Sequence, residues 1–98
     1  MRLITAVRLI KSAEPAIRAL GASALYLFGS TARDEAKLSS DIDIFIDRDP
    51  NKHCGFIDLT NLERLLCDTL GQEVDLCTRT ALHPALRQSI EQSAIRIL

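Results

Sequence analysis

Apolar residues recur along this chain in two rhythms, one of about 3.6 residues and one of two, the periods of helix and strand. Leu3, Ile4, Val7 and Ile10 follow the first, with Arg2, Arg8 and Lys11 between them, and predict an amphipathic helix. Ser12-Ala13-Glu14 interrupts it. Pro15 then stands where a proline opens a helix and Gly21 where a glycine ends one, with Ile17 and Leu20 as its apolar side. Leu25 to Phe28 predicts a first strand. Ser30 to Lys37 predicts a helix, Ser39-Ser40 a loop, and Asp41 to Asp47 a second strand in strict alternation. Arg48 to Gly55 is rich in turn formers and reads as a surface loop. Ile57 to Leu70 carries Leu59, Leu62, Leu65, Leu66 and Leu70 on one helical side, and Gly71 is placed to cap it in the left-handed conformation. Glu73 to Cys77 predicts a third strand, Pro84 to Ser93 a last helix with Leu86 and Ile90 inward, and Ile95 to Leu98 a short terminal strand. The expected class is α/β (α+β): a small mixed sheet of about three main strands, backed by helices, in a single domain over residues 1–98. No repeat, low-complexity segment or linker interrupts it.

Composition narrows the functional classes. The chain has 98 residues, 47% of them apolar, enough for one small core. A net charge of −1 argues against electrostatic binding of nucleic acid. The only aromatics, Tyr26, Phe28, Phe45 and Phe56, are too few for a base-stacking platform. Cys54, Cys67 and Cys77 match neither a disulfide framework nor a metal-site spacing, which points to free thiols in a reducing compartment. No signal-peptide apolar region or membrane-length run is evident, so a cytoplasmic location without a membrane partner is expected.

The acidic residues cluster, and the cluster carries chemistry. Six of the thirteen lie between Asp34 and Asp49. Asp41 and Asp43 occupy one face of an Ile-rich strand, although Asp is disfavoured in strands. Ile42, Ile44 and Ile46 form the other face. Residues two apart on a strand point the same way with Cα atoms roughly 6.6 Å apart. Two carboxylates so placed suit a pair of hard cations about 3.5–4 Å apart. Phe45 shares their face, which argues against a plain solvent-facing edge. Asp75, between Val74 and Leu76, is a candidate third carboxylate, either a cation ligand or a general base for an acceptor hydroxyl. Standing alone, it reads as an ordinary exposed strand residue.

Gly29 and Ser30 follow an apolar strand and open a helix. A glycine lets phosphate approach the backbone, and amides at a helix start favour an anion. A lone Gly-Ser turn is also a common structural cap. Arg33, one helical turn after Ser30, suits either a phosphate or one of the aspartates. Asp34 and Glu35 read as first-turn acids favoured by the helix dipole. Asp47 continues the alternation and either lines the edge of the site or, the preferred reading, is solvated at the strand end; His53 and His83 read as surface histidines.

Taken together, Gly29-Ser30-Thr31-Ala32-Arg33, Ser40-Asp41-Ile42-Asp43-Ile44 and Val74-Asp75-Leu76 resemble the minimal nucleotidyltransferases (MNT) of the polymerase β superfamily. The resemblance covers most of the chain and is specific, because the three motifs come in the family's order and spacing. It implies Asp41, Asp43 and Asp75 as a catalytic triad binding two Mg2+ ions. It implies Gly29 and Ser30 as triphosphate contacts, with Arg33 beside them. The reaction implied is transfer of a nucleoside monophosphate, most often AMP from ATP, to an acceptor hydroxyl, with release of pyrophosphate. In the toxin–antitoxin branch the acceptor belongs to a HEPN-domain toxin, a ribonuclease that this modification silences. One position departs from the family: a glycine commonly follows the arginine, and this chain has Asp34 there.

Two other functions compete. A binding module would mask its partner by contact alone, docking through the apolar first helix. A small-molecule nucleotidyltransferase would act on an antibiotic, but larger relatives hold such acceptors in a second domain. A 98-residue chain is expected to take its acceptor surface from a partner protein instead.

Overall fold

The computed structural model describes residues 1–35 and 41–98. Its elements are helix α1 (Leu3–Ser12), helix α2 (Glu14–Ala19), strand β1 (Ala22–Phe28), helix α3 (Gly29–Ala32), strand β2 (Ile42–Arg48), helix α4 (Phe56–Leu70), strand β3 (Val74–Thr78), helix α5 (Pro84–Ser93) and strand β4 (Ile95–Arg96). A 3-10 turn, Arg79–Ala81, joins β3 to the last helix. The strands form one mixed sheet in the order β3-β2-β1-β4. β1 runs antiparallel to β2 and to β4, while β2 and β3 are parallel. That parallel pair needs a crossover, and α4 supplies it.

Alternation explains the sheet. Ile42, Ile44 and Ile46 are fully buried with Leu25 and Leu27, on the face shared with Ile10, Ile17, Leu62 and Leu66. Each such side chain stabilises the fold by about 1.5–3 kcal/mol through removal from water. Leu62, Leu66 and Leu70 form the buried line of α4, with Leu59 and Leu65 packed beside it, as the periodicity predicts. Gly71 ends the helix at φ 67°. The opposite face of the sheet carries Tyr26, Phe28 and Phe45. Phe45 is fully buried there, with its ring centroid 4.7 Å from Tyr26 and 5.6 Å from Phe28.

Several expectations are corrected. β1 begins at Ala22, three residues before the expected strand, because Ala22 and Ala24 pair with Arg48 and Asp47 of β2. Alanine has little strand preference, so pairing decides it. The short terminal strand expected over Ile95 to Leu98 forms as β4 at the edge of the sheet, but it ends at Arg96. The helix expected over Ser30 to Lys37 is a single turn. It starts at Gly29 and ends at Ala32, since Asp34 has φ 56° and a left-handed residue cannot continue a right-handed helix. Lys37, at the expected helix end, and the expected Ser39-Ser40 loop lie outside the described residues. Leu86, expected to face inward, is 56% exposed, and α5 has no fully buried residue. Of the expected apolar line of α1, Ile10 is buried, beside Ala6, and Ile4 is 73% exposed.

Candidate active site

Strand register assembles the candidate site. Phe28 of β1 pairs with Asp43 of β2, and Asp43 pairs with Asp75 of β3. Neighbouring strands lie about 4.8 Å apart, so the row sets the two aspartates side by side. Asp41 is two residues before Asp43, just ahead of the strand. Gly29 follows Phe28 directly. The end of β1 and the starts of β2 and β3 therefore meet at one edge of the sheet.

Gly29 has φ 70°. A Cβ built there would collide with the Asp43 carboxylate. Glycine is thus required twice, by backbone conformation and by the acid beside it. The first amides of a helix have no acceptor within it, so those of the α3 turn are available to an anion. With only four residues, α3 adds little of the helix dipole on which the sequence reading relied. Ser30 is half-buried within this turn, and its carbonyl accepts a hydrogen bond from the Glu35 amide at 2.8 Å.

Asp43 is half-buried, whereas Asp41 and Asp75 are exposed. Desolvation pushes the Asp43 carboxyl above its ordinary pKa, and the charges of Asp75 and Asp41 push the same way, with Arg33 opposing. The charged neighbours disfavour the ionised form of Asp43, and a bound cation would offset that. The Cys77 thiol is raised too, by burial first and then by Asp75 and Asp43.

Among the described residues, no three carboxylate, imidazole or thiol groups converge into a ready metal cage. That is compatible with magnesium, which is usually held by one or two carboxylates plus substrate phosphates rather than by an all-protein cage. The donor chemistry fits: all three groups offer hard oxygen.

Arg33 pairs directly with none of Asp41, Asp43 and Asp75 among the described contacts. It lies just beyond the α3 turn, exposed, and its Nε donates to Glu35 at 3.2 Å. Asp34 and Glu35 are not first-turn acids of a continuing helix. Asp34 instead accepts a hydrogen bond from the Leu3 amide at 2.8 Å, at the start of α1. Asp47 is not simply solvated. Arg79 grips it with Nε–Oδ1 at 2.7 Å and Nη2–Oδ2 at 3.0 Å. Sequence reasoning passed over Arg79, although it extends the alternation of Asp75 and Cys77. Its guanidinium lies 4.8 Å from the Tyr26 ring centroid and 5.2 Å from that of Phe45, and Nη1 is 3.6 Å from Glu91 of α5. Hydrogen bonding to Asp47 raises its pKa above the ordinary value. Arg79 thereby ties the last helix to the aromatic face of the sheet. His53 and His83 are exposed as expected, and His83 caps α5 by accepting from the Ala85 amide at 3.1 Å. The three cysteines are free. No helix among the described residues is long and apolar enough to cross a membrane.

This fold and this edge define a nucleotidyltransferase. The chain belongs to the nucleotidyltransferase domain family, whose pattern it matches over residues 10–97. A Methanocaldococcus jannaschii protein named as a protein adenylyltransferase is 40% identical over 72 residues, covering 74% of this chain and 75% of the relative. A solved minimal nucleotidyltransferase superposes with a TM-score of 0.83 at 29% identity, covering 97% of this chain and 95% of the other. A Shewanella oneidensis MNT antitoxin complex with a tri-AMPylated HEPN toxin gives a TM-score of 0.58 at 22% identity, covering 90% and 71% of the two chains. At that identity the likeness is one of fold.

Proposed function

We propose that this chain transfers AMP from ATP to a hydroxyl of a partner protein, and that the partner is a HEPN-family toxin. The observation that carries the reading is the row Phe28–Asp43–Asp75, with Asp41 beside it and Gly29 pressed against Asp43. The relative named as a protein adenylyltransferase supports the nucleotide and the kind of acceptor. The HEPN–MNT complex with its AMPylated toxin supports the partner.

Each residue has an assigned part. Backbone amides of Gly29 and Ser30 hold the triphosphate. Asp41, Asp43 and Asp75 would hold magnesium, which would supply neutralisation of phosphate charge and polarisation of the α-phosphorus. Arg33 adds positive charge beside the turn. The acceptor oxygen forms a bond to the α-phosphorus as the α–β bond breaks. Pyrophosphate leaves, and the acceptor proton passes to a base, the part we assign to Asp75. The half-buried setting of Asp43 strengthens these charge interactions relative to open water.

Mass spectrometry tests the proposal. A HEPN-family partner incubated with this protein, ATP and magnesium gains the mass of one or more AMP groups, and Asp41→Asn or Asp43→Asn abolishes the gain. Unchanged transfer by the double variant would refute the assignment. Masking by contact alone has one observation in its favour: Phe56 and Ile57, adjacent at the start of α4, are 83% and 74% exposed. That reading wins if a stable complex forms, no mass is added, and the triad variants still neutralise the partner.

A further inference from the structure

We infer that Asp34 is a positioning residue that braces the nucleotide turn against the start of α1; this rests on reading Gly29 to Arg33 as that turn. Three features converge on it. First, Asp34 is the one non-glycine residue with positive φ among those described, at 56°. Left-handed backbone disfavours L-residues, and Asp tolerates it better than most. Second, α1 has no side-chain cap from its own Arg2 and no acidic residue in its first turn. The Leu3 amide donates instead to Asp34 Oδ1 at 2.8 Å, across 31 residues of sequence. Third, the left-handed residue sits within the bonds that close the turn. The Asp34 amide donates to the Thr31 carbonyl at 3.0 Å, and the Glu35 amide to the Ser30 carbonyl at 2.8 Å.

One side chain thereby fixes two things. It supplies the orphan cap of α1 and anchors the end of the turn to a helix that is seated in the core through Ala6 and Ile10. A glycine in its place would reach the same backbone conformation without the anchor. The arrangement also answers an electrostatic problem. A carboxylate so near a phosphate turn would repel the ligand, but the partial positive charge at the α1 N-terminus absorbs part of it. Binding then favours a turn already held in its competent shape, since affinity falls by the fraction of molecules that hold it.

Two variants separate the brace from a simple cap. Asp34→Gly keeps the backbone and loses the anchor. Asp34→Asn keeps both, because an amide oxygen also accepts the Leu3 hydrogen bond. Amide hydrogen exchange of the nucleotide-free protein is the primary readout. Asp34→Gly speeds exchange at Leu3 and also at Glu35, by about fivefold, the scale of one lost cap, while Asp34→Asn stays near wild type. Faster exchange at Leu3 alone, or an Asn variant that matches Gly, overturns the inference. Calorimetric binding of ATP with magnesium is the second readout. Asp34→Gly weakens it about fivefold and Asp34→Asn leaves it near wild type. Equal binding by wild type and Asp34→Gly overturns the role in nucleotide positioning. If the wild type itself binds no ATP, the nucleotide reading fails, and the exchange data alone decide whether Asp34 braces the turn.

Discussion

The carboxylate of Asp43 occupies the space that any side chain at Gly29 would need. A turn and a strand thus constrain each other: the turn can pass this close to Asp43 of β2 only as glycine.

Gly29→Ala is expected to remove nucleotide binding. The new Cβ meets the Asp43 carboxylate, and alanine is strained at φ 70°. The cost to stability is about 1–3 kcal/mol. Thermal melting with and without ATP and magnesium checks both effects; a variant that keeps the nucleotide-induced shift contradicts the tight approach.

Asp43→Asn is expected to abolish transfer and to raise stability near neutral pH without magnesium. The folded protein raises the Asp43 pKa above its ordinary value, mainly by desolvation. A raised carboxyl contributes stability that is fully present below the unfolded pKa and is lost as pH rises through the folded one. Wild type therefore loses this contribution on going from acid to neutral pH, whereas the Asn variant does not. Melting curves across the acid-to-neutral range, in a chelator, should show the two proteins diverging as pH rises. Parallel curves would sink the prediction.

Magnesium is expected to raise the melting temperature of wild type in the presence of ATP, because a ligand that binds only the folded state stabilises it by mass action. Asp41→Asn and Asp75→Asn shrink the shift, and a chelator removes both the shift and transfer. A shift that survives in both variants would place the ion elsewhere.

Arg79→Lys is expected to cost about 1–3 kcal/mol, the scale of a broken charge-assisted hydrogen bond with a partner left behind. Lysine has no fork for Asp47 and no planar group for Tyr26 and Phe45. A melting cycle with Asp47→Asn should be strongly non-additive, since the pair acts as a unit. Additive losses would show that the two residues stabilise the fold separately.

Much of the fold was legible because its signals are local. The leucines of α4 and the isoleucines of β2 repeat at the periods of their elements, and Gly71 marks its helix end by a conformation few other residues adopt. Ala22 to Ala24 escaped detection because their strand state comes from Arg48 and Asp47 across the sheet. The α3 turn was read as too long because Arg33, Asp34 and Glu35 are acceptable helix residues. The left-handed backbone of Asp34, whose side chain is tied to Leu3, stops the helix there. Asp47 looked solvated because its partner, Arg79, lies 32 residues away.

Residue identity set the chemistry available to this chain: three aspartates in or beside alternating strands, and a glycine where a strand turns. Those follow from composition and from periods of two and 3.6, which any local stretch reveals. Which groups meet was decided in three dimensions. Asp43 stands beside Asp75 only because α4 returns β3 parallel to β2 in one register. A slip of one residue would turn every side chain of that strand to the other face. Burying Ile42, Ile44 and Ile46 together with Val74 holds the register, and so places the carboxylates.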